Sequence, residues 1–207
     1  GWLVKIVSGK KEAELIFKGV LLAFSKFFEP SVILDIGGGS NELILGKEEE
    51  LIWQESQAAG MSRVINQFKL SDPIKADEID TLQNYFLEKH NRAIKVCLEN
   101  NVRTMVGCSG AFDTIADIID VVNPGEKPRV TQEISLNSFH VVHNTLMKST
   151  REERLRMKGM DQVRVDLIVP AVILIEKIIS ETDIERIIQT DFALREGVLY
   201  ELMKVKV

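Results

Sequence analysis

Apolar residues occupy almost every side of the stretch from Lys10 to Phe24, where Ala13, Leu15, Ile16, Phe17, Val20, Leu21, Leu22 and Phe24 leave no continuous polar stripe. The stretch reads as a helix, and a helix apolar all round expects to be covered all round. Ahead of it, Val4–Val7 reads as the end of a short strand, interrupted by Ser8-Gly9. Ser31–Ile36 is an apolar run that predicts a strand, Glu42–Leu45 a second closed by Gly46, and Leu51–Glu55 a third. Short turns join the three, which predicts an antiparallel meander and no crossover between them.

Gly60 opens a short helix through Phe68, and Ser71-Asp72-Pro73 marks a turn. Ile79, Leu82, Phe86, Ala93 and Cys97 then recur at helical spacing and predict one long amphipathic helix from Lys75 to Asn100. Val102–Val106 is a fourth strand, delivered through Gly107-Cys108-Ser109-Gly110 into a helix that reaches Val121. Asn123–Pro128 is a loop by composition. Helices are predicted at Ser135–Lys148, at Thr150–Met157 with a capping box from Thr150 to Glu153, and at Val163–Glu181. A fifth strand at Ile184–Gln189 and a closing helix at Phe192–Val205 complete the chain, with no repeats or low-complexity tracts. The expected class is α/β, a mixed five-stranded sheet with helices on both faces.

Composition narrows the partners. The 207 residues are 45% hydrophobic, and 26 Lys and Arg stand against 31 Asp and Glu, for a formal charge of -5. That balance draws the protein onto neither nucleic acid nor anionic lipid, so a polyanionic ligand must be held locally. Cys97 and Cys108 lack metal-ligand spacing, which argues against a disulfide scaffold or zinc site and for a reducing compartment. The longest apolar stretch, Leu167–Ile175, is broken by Pro170 and too short to span a bilayer. No signal-peptide pattern opens the chain, and a cytoplasmic location is expected.

The densest chemical signal is Asp35-Ile36-Gly37-Gly38-Gly39-Ser40, between two predicted strands. Glycines let backbone N–H groups approach an anion closely, and consecutive N–H groups form a concavity for phosphate oxygens. Asp35 beside such a cradle could hold a divalent cation. A glycine-rich hairpin with a solvated aspartate explains the run of glycines equally well. Neither a dinucleotide fingerprint nor a Walker loop is present, because both need a helix after the glycines. Gly107-Cys108-Ser109-Gly110 is a second signal, following a strand and opening a helix, where a phosphate could sit at the positive helix end. Alone, Ser109 reads more readily as an N-cap than as a ligand. Glu12 reads from spacing as an ordinary first-turn glutamate, although a carboxylate there could direct a water at phosphorus. His140 and His143 share a helix face without a third ligand and read as surface residues, as His90 reads as the flank of the long helix. Arg164 and Asp166 read as helix-surface or interhelical contacts, Arg195 as structural, and Lys89 and Arg92 as a solvated face.

At these residues the sequence resembles the Ppx/GppA family, the exopolyphosphatases and guanosine pentaphosphate phosphohydrolases of the actin-like superfamily. Ser8-Gly9 with Glu12-Ala13 and Leu15-Ile16, Asp35–Ser40 with Glu42-Leu43, Gly107–Gly110, Arg164 with Asp166 and Pro170-Ala171, and Ala193–Gly197 match its blocks in order. The resemblance implies an actin-like, ribonuclease-H-like lobe over 8–207, with an interlobe helix at 10–24 and residues 1–7 as the trailing strand of an absent first lobe. It implies hydrolysis of a terminal phosphoanhydride of polyphosphate or guanosine pentaphosphate. Glu12 would orient the attacking water, Asp35 would organise Mg2+, and Gly37, Gly38, Gly39 and Ser40 would bind phosphoryl oxygens. Gly107, Ser109 and Gly110 would line the neighbouring phosphate or nucleotide position. Lys11, Glu14, Asn41 and Ala111 depart from the family pattern, which bears on substrate identity. Without the first lobe, weak or absent turnover and association through exposed apolar surface, such as a homodimer, are expected. A non-catalytic polyphosphate or nucleotide sensor is the rival from another class, and an ATP-driven kinase or chaperone lobe shares the fold.

Overall fold

The computed structural model describes residues 6–204. The first half of the predicted strand at Val4–Val7 therefore falls outside the described residues, and Ile6 and Val7 carry no regular structure. In chain order the elements are α1 (Gly9–Phe24), β1 (Phe27–Ile36), β2 (Asn41–Glu48), β3 (Glu50–Gln57), α2 (Met61–Gln67), α3 (Ala76–Glu99), β4 (Thr104–Cys108), α4 (Gly110–Asp120), β5 (Gln132–Ile134), α5 (Leu136–Lys148), α6 (Arg151–Arg156), α7 (Ile168–Ser180), β6 (Arg186–Thr190) and α8 (Leu194–Lys204).

One six-stranded sheet runs in the order β3-β2-β1-β4-β6-β5. The predicted meander is present, with β1, β2 and β3 paired antiparallel. Beyond it β1, β4 and β6 run parallel, and β5 closes the far edge antiparallel to β6. The expected five strands thus become six. The added strand β5 is only three residues long, too short to leave a period, and buries only Ile134.

Alternation along the strands divides the core. Val32, Leu34, Ile36, Leu43, Leu45 and Met105 face a cluster built with α3, α4, α5 and α7. Ile33, Ile44, Val106 and Cys108 face the other way, onto Ala13, Ile16, Phe17 and Val20 of α1. So α1 covers one face of the sheet, and its own outer side is met by α8. The two helices cross with their backbones in contact: a Cβ at Gly19 would lie 1.8 Å from the Ala193 carbonyl oxygen, and one at Gly197 1.8 Å from that of Leu15. The glycine that ends Ala193–Gly197 is therefore demanded by helix crossing. Lys11 and Lys18 both reach Glu201 of α8, at 2.6 and 2.5 Å. Leu22 stays 46% exposed, so cover on every side of α1 is not reached among the described residues.

One helix start and one side-chain placement differ from expectation. The helix predicted from Val163 begins at Ile168, because 161–167 is taken up by turns in which the Arg164 N–H donates to the Asp161 carbonyl. Pro170 then falls in the first turn, where its missing N–H costs nothing. His90 is not on the flank of α3 but fully buried, facing the core beside Phe86. Burial lowers its pKa to about 4, which keeps it neutral.

Candidate active site

The glycine turn between β1 and β2 is shaped by α2. The Gly37 carbonyl accepts the Met61 N–H at 2.9 Å, the Gly38 carbonyl the Ser62 N–H at 3.0 Å, and the Gly39 carbonyl the Gly60 N–H at 3.3 Å. With its carbonyls committed to the start of α2, the turn leaves the N–H groups of Gly38, Gly39 and Ser40 without a backbone acceptor among the described residues. Such unpaired, outward N–H groups are what an anion cradle requires. Asn41, one of the departures, ties this arrangement down by donating from its buried amide to the Ala59 carbonyl at 2.8 Å.

Asp35 is the penultimate residue of β1, and its sheet partners are Cys108 on β4 and Glu42 on β2, while Glu42 pairs with Ser56 on β3. Directly opposed residues share a face, so Ser56, Glu42, Asp35 and Cys108 form one row across four strands. It lies on the face covered by α1, whose start stands over it: a Cβ at Gly9 would lie 2.6 Å from Ser56 Oγ. Glu12, in the first turn of α1, completes a group of three carboxylates with Asp35 and Glu42.

Burial raises the Asp35 pKa from 3.8 to about 6; the hydrogen bond from Ser109 opposes this, and the charges of Glu42 and Glu12 add to it. Burial likewise raises Glu42, against the hydroxyls of Ser56 and Ser40 and with the charge of Glu12. Cys108 is held well above the ordinary thiol value by burial and by the neighbouring Asp35, so it is an inert neighbour and no nucleophile.

An acid whose folded pKa lies above its unfolded one binds its proton longer in the native state, so stability falls as pH rises between the two values. Asp35→Asn is therefore expected to stabilise the metal-free protein by roughly 3 kcal/mol above pH 6 and by nothing below the ordinary value of 3.8. Thermal melts of both proteins at pH 4 and pH 8 check this. Equal gains at both pH values would show that the buried charge is not the cause.

Ser109 corrects the capping expectation. Its side chain makes no cap to α4; its hydroxyl donates instead to Asp35 Oδ1 at 2.6 Å. The backbone at Ser109 takes φ 66° and ψ 175°, a region that costs a residue with a side chain about 1 to 3 kcal/mol. Gly107 and Gly110 flank it at the junction of β4 and α4, and the Gly107 position is packed against the Phe112 ring.

The side chain that sequence reasoning placed elsewhere is Arg164. Its guanidinium lies against Gly110, so closely that a Cβ there would be 0.9 Å from Nη1. Together with Gly37, Gly38, Met61, Ala111 and Leu167 it lines a cavity of about 90 Å³ between the two glycine turns. Its Nε is held by Asp161 at 3.2 Å. Glu42, to which the sequence reading gives no chemical role, lies directly opposite Asp35 across the hairpin.

The remaining candidates lie elsewhere. His140 pairs with Glu176 at 3.1 Å, Asp166 with Arg151 at 2.7 Å, and exposed Arg195 with Glu196 at 2.7 Å. Lys89 lies over Tyr85 and Arg92 over Trp53. Lys11 turns to α8, which takes its charge away from Glu12. Among the described residues, no helix is long and apolar enough to cross a membrane.

Two glycine turns at the ends of adjacent parallel strands, a buried carboxylate between them and helices on both faces define an actin-like lobe. The chain belongs to the Ppx/GppA phosphatase family, whose model matches residues 1–206. It is 28% identical over 201 residues to a putative exopolyphosphatase of Haemophilus influenzae, covering 97% of this chain and 60% of that protein. It is 26% identical over 182 residues to exopolyphosphatase 2 of Mycobacterium tuberculosis, covering 87% of this chain and 57% of that one. The crystal structure of an exopolyphosphatase from Cytophaga hutchinsonii superposes with a TM-score of 0.91 at 34% identity, over 98% of this chain and 66% of the other. That of the Aquifex aeolicus PPX-GPPA enzyme has a TM-score of 0.86 at 22% identity, over 97% and 66%, and bears on the fold alone. The chain thus spans about 60% of the length of these two curated relatives.

Proposed function

We propose that the protein hydrolyses the terminal phosphoanhydride bond of inorganic polyphosphate with magnesium. One observation carries the reading: the free N–H groups of the Gly38–Ser40 turn and the start of α4 flank the buried Asp35 from two adjacent strands. The exopolyphosphatase names of the Haemophilus and Mycobacterium relatives favour polyphosphate over guanosine pentaphosphate.

Magnesium fits these residues. Asp35 and Glu42 are carboxylates on paired strands, 8% and 2% exposed, and the charge of Glu42 raises the cost of ionising Asp35. Magnesium usually takes one or two protein carboxylates and completes its shell with water and substrate phosphate. Bound there, the ion would neutralise charge on the transferring phosphoryl group.

The chain's own groups do the rest. The N–H groups of Gly38, Gly39 and Ser40 bind equatorial oxygens of the terminal phosphoryl group, and the Gly110 end of α4 with the Arg164 guanidinium binds the adjoining phosphate. Ser109 holds Asp35 in place. Glu12 accepts a proton from a water directed at phosphorus; the new oxygen–phosphorus bond forms as the bridging one breaks, releasing orthophosphate and a shortened chain.

The test is orthophosphate release from long-chain polyphosphate and from guanosine pentaphosphate, with magnesium and with chelator, beside tripolyphosphate binding by calorimetry. Magnesium-dependent release that is faster from polyphosphate is the expected result. Binding without release replaces the hydrolase with a sensor, and neither release nor binding overturns the site.

A further inference from the structure

We propose that Arg63 sets the preference of this site for condensed phosphate chains over single phosphates, by holding a phosphate of the chain beyond the glycine cradle; the inference rests on the cradle reading above. Arg63 lies on α2 and is exposed, yet it is not free to wander. Its Nε donates to the Gly39 carbonyl at 2.8 Å, and its backbone N–H donates to the Gly60 carbonyl at 2.9 Å. The guanidinium is thereby pinned at the outer rim of the turn that presents the free N–H groups.

Its charge is uncommitted, which is unusual in this molecule. Arg103, Arg129, Arg151, Arg154, Arg156, Arg164, Arg186 and Arg195 each pair with a carboxylate. Arg92 lies over the Trp53 ring. Arg63 alone, among the described arginines, spends one donor on a backbone carbonyl and meets no acid, in a chain of net charge -5. A guanidinium has five donors in a fixed fork, so Nε can hold the carbonyl while the terminal nitrogens take two oxygens of one phosphate. The Ser40 N–H points away from the Gly39 carbonyl that Nε holds, so a single orthophosphate seated on the N–H groups would be out of its reach and only a chain long enough to pass the edge of the turn would meet it.

The experiment measures binding of orthophosphate and of tripolyphosphate by calorimetry, for the protein, Arg63→Ala and Arg63→Gln. The glutamine amide can still donate to Gly39, so that variant removes the cation while keeping the brace. Tripolyphosphate binding is expected to weaken about tenfold or more in both variants, with orthophosphate binding unchanged. Raising salt should shrink that difference. Equal losses for the two anions would make Arg63 a brace of the turn and overturn the proposal, as would no loss at all. Binding of neither anion by the unsubstituted protein would overturn the cradle reading and this inference with it.

Discussion

Glu12→Gln is expected to lower orthophosphate release from polyphosphate by about 10²- to 10⁴-fold while leaving tripolyphosphate binding unchanged. The carboxylate stands in the first turn of α1, half-buried, close enough to Asp35 and Glu42 for its charge to raise both their pKa values. Among the described residues it is the one of the three that no hydroxyl engages: Ser109 donates to Asp35 and Ser56 to Glu42. The two engaged carboxylates suit a fixed ion, and the unengaged one suits a mobile proton. Glutamine keeps the size and loses the proton acceptor. Steady-state release with calorimetry on the same preparations checks the split. A variant that releases phosphate at the unsubstituted rate would remove Glu12 from the chemistry, and one that loses binding equally would make it a structural residue.

Arg129→Met is expected to cost about 3 to 5 kcal/mol of stability, a large share of what a domain of this kind possesses. Arg129 is 4% exposed, and its guanidinium reaches Asp117 at 2.7 Å and Asp120 at 2.8 Å, with Nε donating to Gln132 of β5. Asp117 is 3% exposed in its side chain and among the described residues would keep only the Gly125 N–H. Removing one partner of a buried pair leaves the other charge desolvated and unpaired, which is why the loss exceeds the net worth of the pair. Urea unfolding of Arg129→Met, Asp117→Leu and the double variant measures it. The double variant should lose less than the two singles together, since no orphaned charge remains. A loss below about 1 kcal/mol in the single variant would show that backbone pairing alone holds this edge.

That pair also explains why β5 escaped detection. Gln132–Ile134 is a strand because Arg129 bonds it to α4 and because β6 offers an edge, with Ile134 opposite Ile187. Neither cause lies within the segment. Glu42, by contrast, was legible and overlooked: Asp35 and Glu42 flank the same hairpin, and the register that pairs Ile36 with Asn41 places them directly opposite.

The sequence by itself determined what depends on neighbours along the chain: the meander, the long helix α3, the capping box at Thr150, and the two glycine turns at strand ends. These follow from periodicity, turn residues and local hydrogen bonds, whose partners lie a few residues away. Tertiary structure alone decided that Ser109 serves Asp35 from 74 residues away and that Arg164 lies on Gly110. It also turned His90 inward and brought α8 onto α1 at Gly197. Each of those outcomes sets one side chain or helix against several competing surfaces, and the winner is chosen by the summed packing of the whole fold.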